Sequence, residues 1–121
     1  MRILIVDDSM SDVEKIAEVI EGLGEIVICT IKVACNKMPP FKEIIAEVNK
    51  ADLVLLDNNF GTEKFSGKDI LPYCKNKVIG ISSDSCLGPT NFYLKQFLFS
   101  TDLKRELRLL VESFIAKIGE V

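Results

Sequence analysis

The stretch Ile3-Leu4-Ile5-Val6-Asp7-Asp8 decides the fold predicted for this chain, because four apolar residues in a row are followed at once by two carboxylates. An unbroken apolar run of this length is typical of a strand that is buried on both faces of its sheet. The same pattern recurs at 26–29, 53–56 and 78–81. The sequence therefore predicts several short, buried strands, which is the usual composition of a parallel sheet.

Segments with helical spacing of apolar residues lie between these runs. One follows Ser9 or Ser11, a second follows Pro39-Pro40, and a long last one begins near Thr101. Because strand and helix alternate, we expect an α/β protein, a doubly wound five-stranded parallel sheet with helices on both faces. The last helix is predicted to bury a single stripe: Leu103, Leu107, Leu110, Phe114 and Ile118.

Size and composition exclude several classes of protein. The 121 residues are expected to form one domain, residues 1–121, with no output domain after the last helix. The formal net charge is −3, and a negative chain is repelled by the phosphate backbones of nucleic acids, so no nucleic-acid partner is expected. The absence of histidine excludes Ser-His-Asp catalysis and zinc sites built on imidazole. No apolar run reaches the roughly 18 residues of a bilayer span, so no membrane insertion is expected.

The cysteines and the N-terminus indicate a reducing compartment. Only four apolar residues separate Met1-Arg2 from the first carboxylates, which is too few for a signal peptide. No pair of cysteines has the CxxC spacing of a zinc site. The chain is therefore expected to be cytoplasmic, with reduced thiols at Cys29, Cys35, Cys74 and Cys86.

Polar residues stand where the predicted strands end. Asp7 and Asp8 follow the first run, Asp57 the third and Ser82 the fourth, and Lys95 follows a probable fifth strand. Ligands of doubly wound sheets bind at the carboxyl ends of the strands. If the first and third strands are neighbours, the three carboxylates lie close together and repel one another. Mg²⁺, which takes oxygen ligands, would relieve that repulsion, and the lysine would neutralise the other side.

Each of these residues alone also has a purely structural explanation. An Asp-Asp-Ser sequence after a strand is a common helix-capping turn, Asp57 before Asn58-Asn59 suits an ordinary turn, and Ser82 can simply cap. A lone lysine is usually solvated. Turn chemistry explains less well why all of them stand at the ends of four different strands.

Together these residues make the chain resemble the receiver domains of response regulators, the phosphoacceptor domains of two-component signalling. The resemblance extends from Ile3 to about Ile118. It implies a flavodoxin-like sheet with strand order 2-1-3-4-5. The residues that carry it are 3–8, 51–57, Gly67, 78–82 and 92–95.

The resemblance also implies a role for the acidic residues. Asp57 would accept a phosphoryl group. Asp8 would bind Mg²⁺ directly, with Asp7 alongside, and Asp57 and the backbone carbonyl of Asn59 would complete the protein's share of the ligands. Charge stabilisation by such groups is the main contribution a protein makes to phosphoryl transfer.

The remaining residues of the set would detect the phosphoryl group. Ser82 would bond one phosphoryl oxygen, Lys95 would pair with another, and Phe92 would reorient as Ser82 is drawn in. The implied donor is a histidine kinase or a phosphotransfer protein, and the implied receiver of the signal is a downstream protein not named by the sequence. The chain would not be an enzyme in the ordinary sense, since it catalyses only its own phosphorylation and dephosphorylation.

The sequence departs from the family's usual pattern after the fourth predicted strand. Gln96 stands where the family usually has proline, and a cis bond before a non-proline residue costs about 3 kcal/mol, so a trans Lys95-Gln96 bond is expected. Only nine residues, 83–91, join the fourth and fifth strands, and a parallel crossover usually needs more than about ten, so the fourth helix is expected to be short or absent. We therefore expect readout through the exposed 83–91 connection, and a monomer or an atypical dimer.

The third helix and the loop before it also depart from the family. Phe60-Gly61 replaces the usual apolar residue and proline, and about two extra residues precede Gly67. Pro72 falls inside the helix, which should therefore be short or kinked.

Three other functions remain to be weighed. A pseudo-receiver that is not phosphorylated and serves only as an interaction module fits the missing proline and helix, but not the intact acidic set. A haloacid-dehalogenase-like phosphatase would use Asp7 as nucleophile and needs an aspartate two positions on, where Ser9 stands. A nucleotide-binding domain is disfavoured because neither GxGxxG nor GxxxxGK[ST] occurs.

Overall fold

The computed structural model describes residues 1–30, 41–57, 66–75, 77–82, 92–94 and 101–119, and the side chains of residues 1–28, 41–57, 66–75, 77–81 and 104–117. The strands are β1 (Arg2–Asp7), β2 (Glu25–Thr30), β3 (Leu53–Leu56), β4 (Val78–Ser82) and β5 (Phe92–Leu94). The helices of these residues are α1 (Met10–Val19), α2 (Phe41–Lys50), α3 (Gly67–Cys74) and α4 (Thr101–Gly119).

The five strands form one parallel sheet in the order β2-β1-β3-β4-β5. The predicted doubly wound α/β fold is confirmed. The order reverses direction beside β1, so β1 and β3 are central neighbours, with Val6 opposite Leu56. This register decides which residues meet at the carboxyl edge of the sheet.

Each face of the sheet has its own core, because alternate strand residues point to opposite faces. Ile3 and Ile5 pack with α1 and α4, whereas Leu4 and Val6 pack with α2 and α3. All four side chains are fully buried. The unbroken apolar run at the start of the chain is thus explained by the presence of helices on both sides.

The side chains of the edge strand β2 are more exposed than the sequence predicted. The run at 26–29 was expected to be buried on both faces, but Ile28 is 46% exposed and Ile26 and Val27 are only half-buried. A strand at the edge of a sheet has a neighbour on one side only, so its side chains receive less cover.

Capping hydrogen bonds and a glycine mark the ends of two helices. Ser9 caps α1, its Oγ accepting from the N–H of Asp12 at 3.4 Å. Helix α3 has eight residues, short as its Pro72 predicts, and the Asp69 carboxylate accepts from the N–H of Ser66 at 2.8 Å. Gly22 follows α1 with a φ of 86°, a conformation that a residue with a Cβ rarely adopts.

Helix α4 buries a slightly different stripe from the predicted one. Leu107 and Val111 are fully buried, and Leu110 and Phe114 pack partly against the core. The side chains of Leu103 and Ile118 lie outside the described residues. None of the described helices is long and apolar enough to span a bilayer.

Two cationic side chains join the elements at the amino edge of the sheet. Lys77 donates through Nζ to the carbonyls of Val48 and Ala51, at 2.8 and 2.6 Å. Arg108 donates through Nη1 to the carbonyls of Val19 and Glu21, at 2.9 and 3.0 Å. Both side chains donate hydrogen bonds to carbonyl groups at helix C-termini. A positive charge there also interacts favourably with the negative end of the helix dipole.

Candidate functional site

The β1–α1 turn brings Asp7 and Asp8 to the carboxyl edge of the sheet. Asp7 is the last residue of β1 and is 1% exposed, whereas Asp8 is exposed. The N–H of Ser9 donates to Oδ1 of Asp7 at 3.0 Å, which holds that carboxylate in a tight turn. Ser9 also caps α1, so the position of the carboxylate and the start of the helix are set by one residue.

Asp57 reaches the same place from β3. Its N–H donates to the carbonyl of Val6 at 3.0 Å, continuing the pairing of the two strands one residue beyond Leu56. Its side chain is 3% exposed. The backbone of the central strands therefore sets Asp57 beside Asp7.

The three carboxylates form one cluster. One oxygen from each of Asp7, Asp8 and Asp57 lies within 4.8 Å of the other two. The side chains of Asp7 and Asp57 are buried, and that of Asp8 is exposed. The predicted convergence of these three residues is confirmed as geometry.

A hard divalent cation fits this donor set. Mg²⁺ takes oxygen ligands, commonly one or two carboxylates with water and phosphate oxygens in the other positions. Three clustered carboxylates, one of them open to solvent, could hold such an ion and leave room for further ligands.

Strands β4 and β5 end at the same edge of the sheet as β1 and β3. Ser82 is the last residue of β4, and its backbone pairs with Leu94, the last residue of β5. The side chains of Ser82 and Phe92 lie outside the described residues, as do the whole of Lys95 and Asn59. The connection 83–91, the Lys95-Gln96 bond and Phe60-Gly61 lie outside them too, so these expectations stay predictions.

Sequence reasoning gave Ser9 a capping role but missed its hydrogen bond to Asp7. An aspartate two residues before a serine was the available signal, because an aspartate side chain often accepts from the N–H two residues on.

The fold has known counterparts. The chain is similar to the BeF3-activated DrrB receiver domain, with a TM-score of 0.66 and 18% sequence identity over 95% of this chain and 97% of that one. It is also similar to the response regulator Rcp1 in its Mn²⁺-bound form, with a TM-score of 0.57 and 21% identity over 88% of each chain.

A third counterpart is the chemotaxis protein CheY4 of Vibrio cholerae, with a TM-score of 0.56 and 18% identity over 86% of this chain and 96% of that one. No protein-family model and no curated protein matches the sequence. The chain has the receiver-domain fold, that of CheY-like response regulators.

Proposed function

We propose that residues 1–121 act as a response-regulator receiver that accepts a phosphoryl group on Asp57 and thereby switches its binding to another protein. The observation that carries the proposal is the meeting of three carboxylates from two neighbouring strands within 4.8 Å of one another. It occurs at the edge where doubly wound sheets bind ligands. The receiver-domain fold supports the same function.

The chemistry follows from the position of Asp57. A carboxylate oxygen of Asp57 attacks phosphorus, and the bond from phosphorus to the donor's imidazole nitrogen breaks, its electrons leaving with the imidazole. The product is an acyl phosphate, which hydrolyses readily and so makes a temporary mark. Asp57 is 3% exposed, so its carboxylate is largely shielded from bulk water.

Asp7, Asp8, Asp57 and the backbone carbonyl of Asn59 are the proposed protein ligands of Mg²⁺. When bound, the ion would offset the charge of the carboxylates and of the phosphoryl oxygens. Asp7 is held in place by the N–H of Ser9 for this purpose. The Mn²⁺-bound form of Rcp1 gives a receiver precedent for a divalent cation.

The remaining roles belong to the proposal as well. Ser82 bonds a phosphoryl oxygen, Lys95 pairs with another, and Phe92 changes orientation with Ser82. The proposed donor is a histidine kinase or phosphotransfer protein, and since the chain has no histidine, the phosphohistidine belongs to that partner. The signal passes to a downstream protein, the compartment is the cytoplasm, and catalysis is confined to the chain's own phosphorylation and dephosphorylation.

Acetyl phosphate tests the proposal. The chain is incubated with acetyl phosphate and Mg²⁺ and its intact mass is measured. We expect a gain of one phosphoryl group that is lost in Asp57→Asn and abolished by chelating the metal. Asp52→Asn, an aspartate at the opposite edge of the sheet, is the matched control and should still be labelled.

Two results would contradict the proposal. A chain that gains no mass although it is folded would be a pseudo-receiver, an interaction module without phosphorylation. A mass gain that persists in Asp57→Asn would place the phosphoacceptor elsewhere.

A further inference from the structure

The outer edge of β2 is a surface that the proposed phosphorylation does not use. Among the described strands, β2 pairs with β1 alone and so stands at the edge of the sheet. Ile28 is 46% exposed on this edge. An edge strand presents backbone N–H and carbonyl groups that can pair with another extended chain.

A groove runs along each face of this edge. The groove on the α1 face has a volume of about 580 Å³, and the one on the α2 face about 530 Å³. Ile28 lines both grooves, Ile26 only the first and Val27 only the second. Side chains of an added strand would enter the two grooves in turn, because successive strand residues point to opposite faces.

The two grooves differ in charge. Around the first stand Glu14, Glu18 and Glu21 with a single lysine, Lys15, and its apolar floor includes Ala17. The three glutamates are exposed. This groove is therefore acidic at its rim and apolar at its base.

The second groove is balanced in charge. Arg2 and Lys50 stand beside Glu43 and Glu47, and Arg2 pairs with Glu47 at 2.8 Å. Its remaining lining is apolar and includes Ile44. Apolar or neutral side chains suit it better than a further charge.

We propose that the β2 edge binds an extended segment of a partner protein, which adds to the sheet as a further strand and alternates cationic with apolar side chains. The cationic side chains would face the three glutamates of the α1 groove, and the apolar ones would lie over Val27 in the other. Backbone hydrogen bonds supply affinity in strand addition, and alternate pockets supply specificity.

Charge argues against a second copy of this chain as the occupant. Two β2 strands paired antiparallel about a twofold axis place both α1 helices on the same face of the joined sheet. The acidic rims of Glu14 and Glu18 in the two copies would then approach each other, and like charges across an interface oppose association.

Three synthetic heptapeptides test this proposal on the full chain. One alternates lysine and valine, one has the same composition with the lysines and valines in separate blocks, and one alternates glutamate and valine. We expect the alternating lysine peptide to bind, measured by calorimetry, and to shift the amide signals of β2 in NMR spectra. The other two peptides are expected to bind at least tenfold more weakly.

Substitutions in the groove on the α1 face provide a second test. Glu14→Gln/Glu18→Gln should weaken binding of the alternating lysine peptide by about three- to tenfold, the effect of losing two exposed charge pairs. Glu106→Gln, an exposed glutamate of α4, is the matched control and should bind the peptide normally. Labelling by acetyl phosphate in the double variant reports separately on the phosphorylation proposal and should be unchanged.

Several outcomes would overturn strand addition. Equal binding of the block peptide would indicate attraction by net charge alone, and amide shifts outside β2 would place the peptide elsewhere. Absence of binding to the folded chain would refute the proposal directly. A dimer in sedimentation whose β2 amides are protected from exchange would make a second copy the occupant.

Discussion

The N–H of Asp57 donates to the carbonyl oxygen of Val6 at 3.0 Å, one residue before Asp7. Strand pairing therefore brings the backbones of Asp7 and Asp57 together at the carboxyl edge of the sheet. Because β1 and β3 are central strands with buried side chains on both faces, this arrangement is held by the most protected part of the sheet.

Replacing Asp8 should stabilise the protein when no divalent cation is present. Asp8→Asn removes one of three clustered negative charges, so the midpoint of thermal unfolding should rise by about 2–4 °C in a chelating buffer. In millimolar Mg²⁺ the difference should disappear, because the wild type binds the ion better. Calorimetry of both proteins with and without Mg²⁺ makes the measurement. Glu106→Gln should show no such dependence, and a difference unaffected by Mg²⁺ would argue against a cation site.

Arg108 should stabilise the packing of α4 against α1. Arg108→Ala leaves the carbonyls of Val19 and Glu21 without their donor and removes the 3.2 Å ion pair with Glu112. The side chain is 40% exposed, so we expect a loss of only about 1 kcal/mol in the free energy of unfolding by urea. Arg105→Ala, an exposed arginine of the same helix, should cost under about 0.5 kcal/mol. Equal losses in the two variants would mean that the capping contributes nothing.

Lys77 should stabilise the end of α2. Lys77→Met keeps most of the aliphatic length but loses the two hydrogen bonds to Val48 and Ala51, at an expected cost of about 1–2 kcal/mol in urea unfolding. Lys50→Met is the control, since the ion pair of Lys50 with Glu47 is long, at 3.9 Å, and the lysine side chain is 62% exposed. Amide exchange should quicken selectively at the end of α2 in the first variant. Uniform quickening would contradict a local cap.

The thiol of Cys74 should be unreactive in the folded protein. Burial raises its pKa from the ordinary 9.0 to about 11, although nearby Lys77 acts in the opposite direction. The thiolate fraction near pH 8 is then about a hundredfold lower than for an ordinary cysteine. Iodoacetamide labelling of the Cys74 peptide, followed by mass spectrometry, should become rapid only in denaturing urea. Rapid labelling in buffer would show that this part of α3 opens easily.

The same thiol predicts a pH dependence of stability. A group that ionises less readily when folded adds stability below its unfolded pKa and loses it as pH rises toward its folded pKa. The contribution of Cys74 should therefore fall between pH 9 and about 11. Cys74→Ala should lack this decline in urea unfolding curves measured across that range, whatever its stability at pH 7. Parallel declines in both proteins would assign the effect to other groups.

Much of the fold could be predicted from local patterns. The run at 3–6 predicted a buried strand, and the acidic residues after two runs predicted the carboxyl edge of the sheet. Of the two capping residues that the sequence offered for α1, Ser9 and Ser11, the structure has Ser9. These features depend on neighbours in sequence or on the periodicity of one element. The predicted strand order made β1 and β3 neighbours, whereas the register of Val6 against Leu56 is known only from the structure.

Long-range contacts were not predictable in this way. Arg108 meets Val19 from 89 residues away, and nothing near either residue indicates the pairing. Val111 was missed because Leu110 and Phe114 fit the same helical stripe, and only packing against the sheet selects the centre of the buried face. The exposure of Ile28 depends on β2 being at an edge, which is a property of the whole sheet.

The caps made by Lys77 and Arg108 lie at the amino edge of the sheet, opposite the acidic cluster. The contacts that hold the C-termini of α1 and α2 thus lie at the opposite end of the sheet from the three carboxylates. Substitution of a carboxylate in the cluster should therefore leave the hydrogen bonds of Lys77 and Arg108 in place.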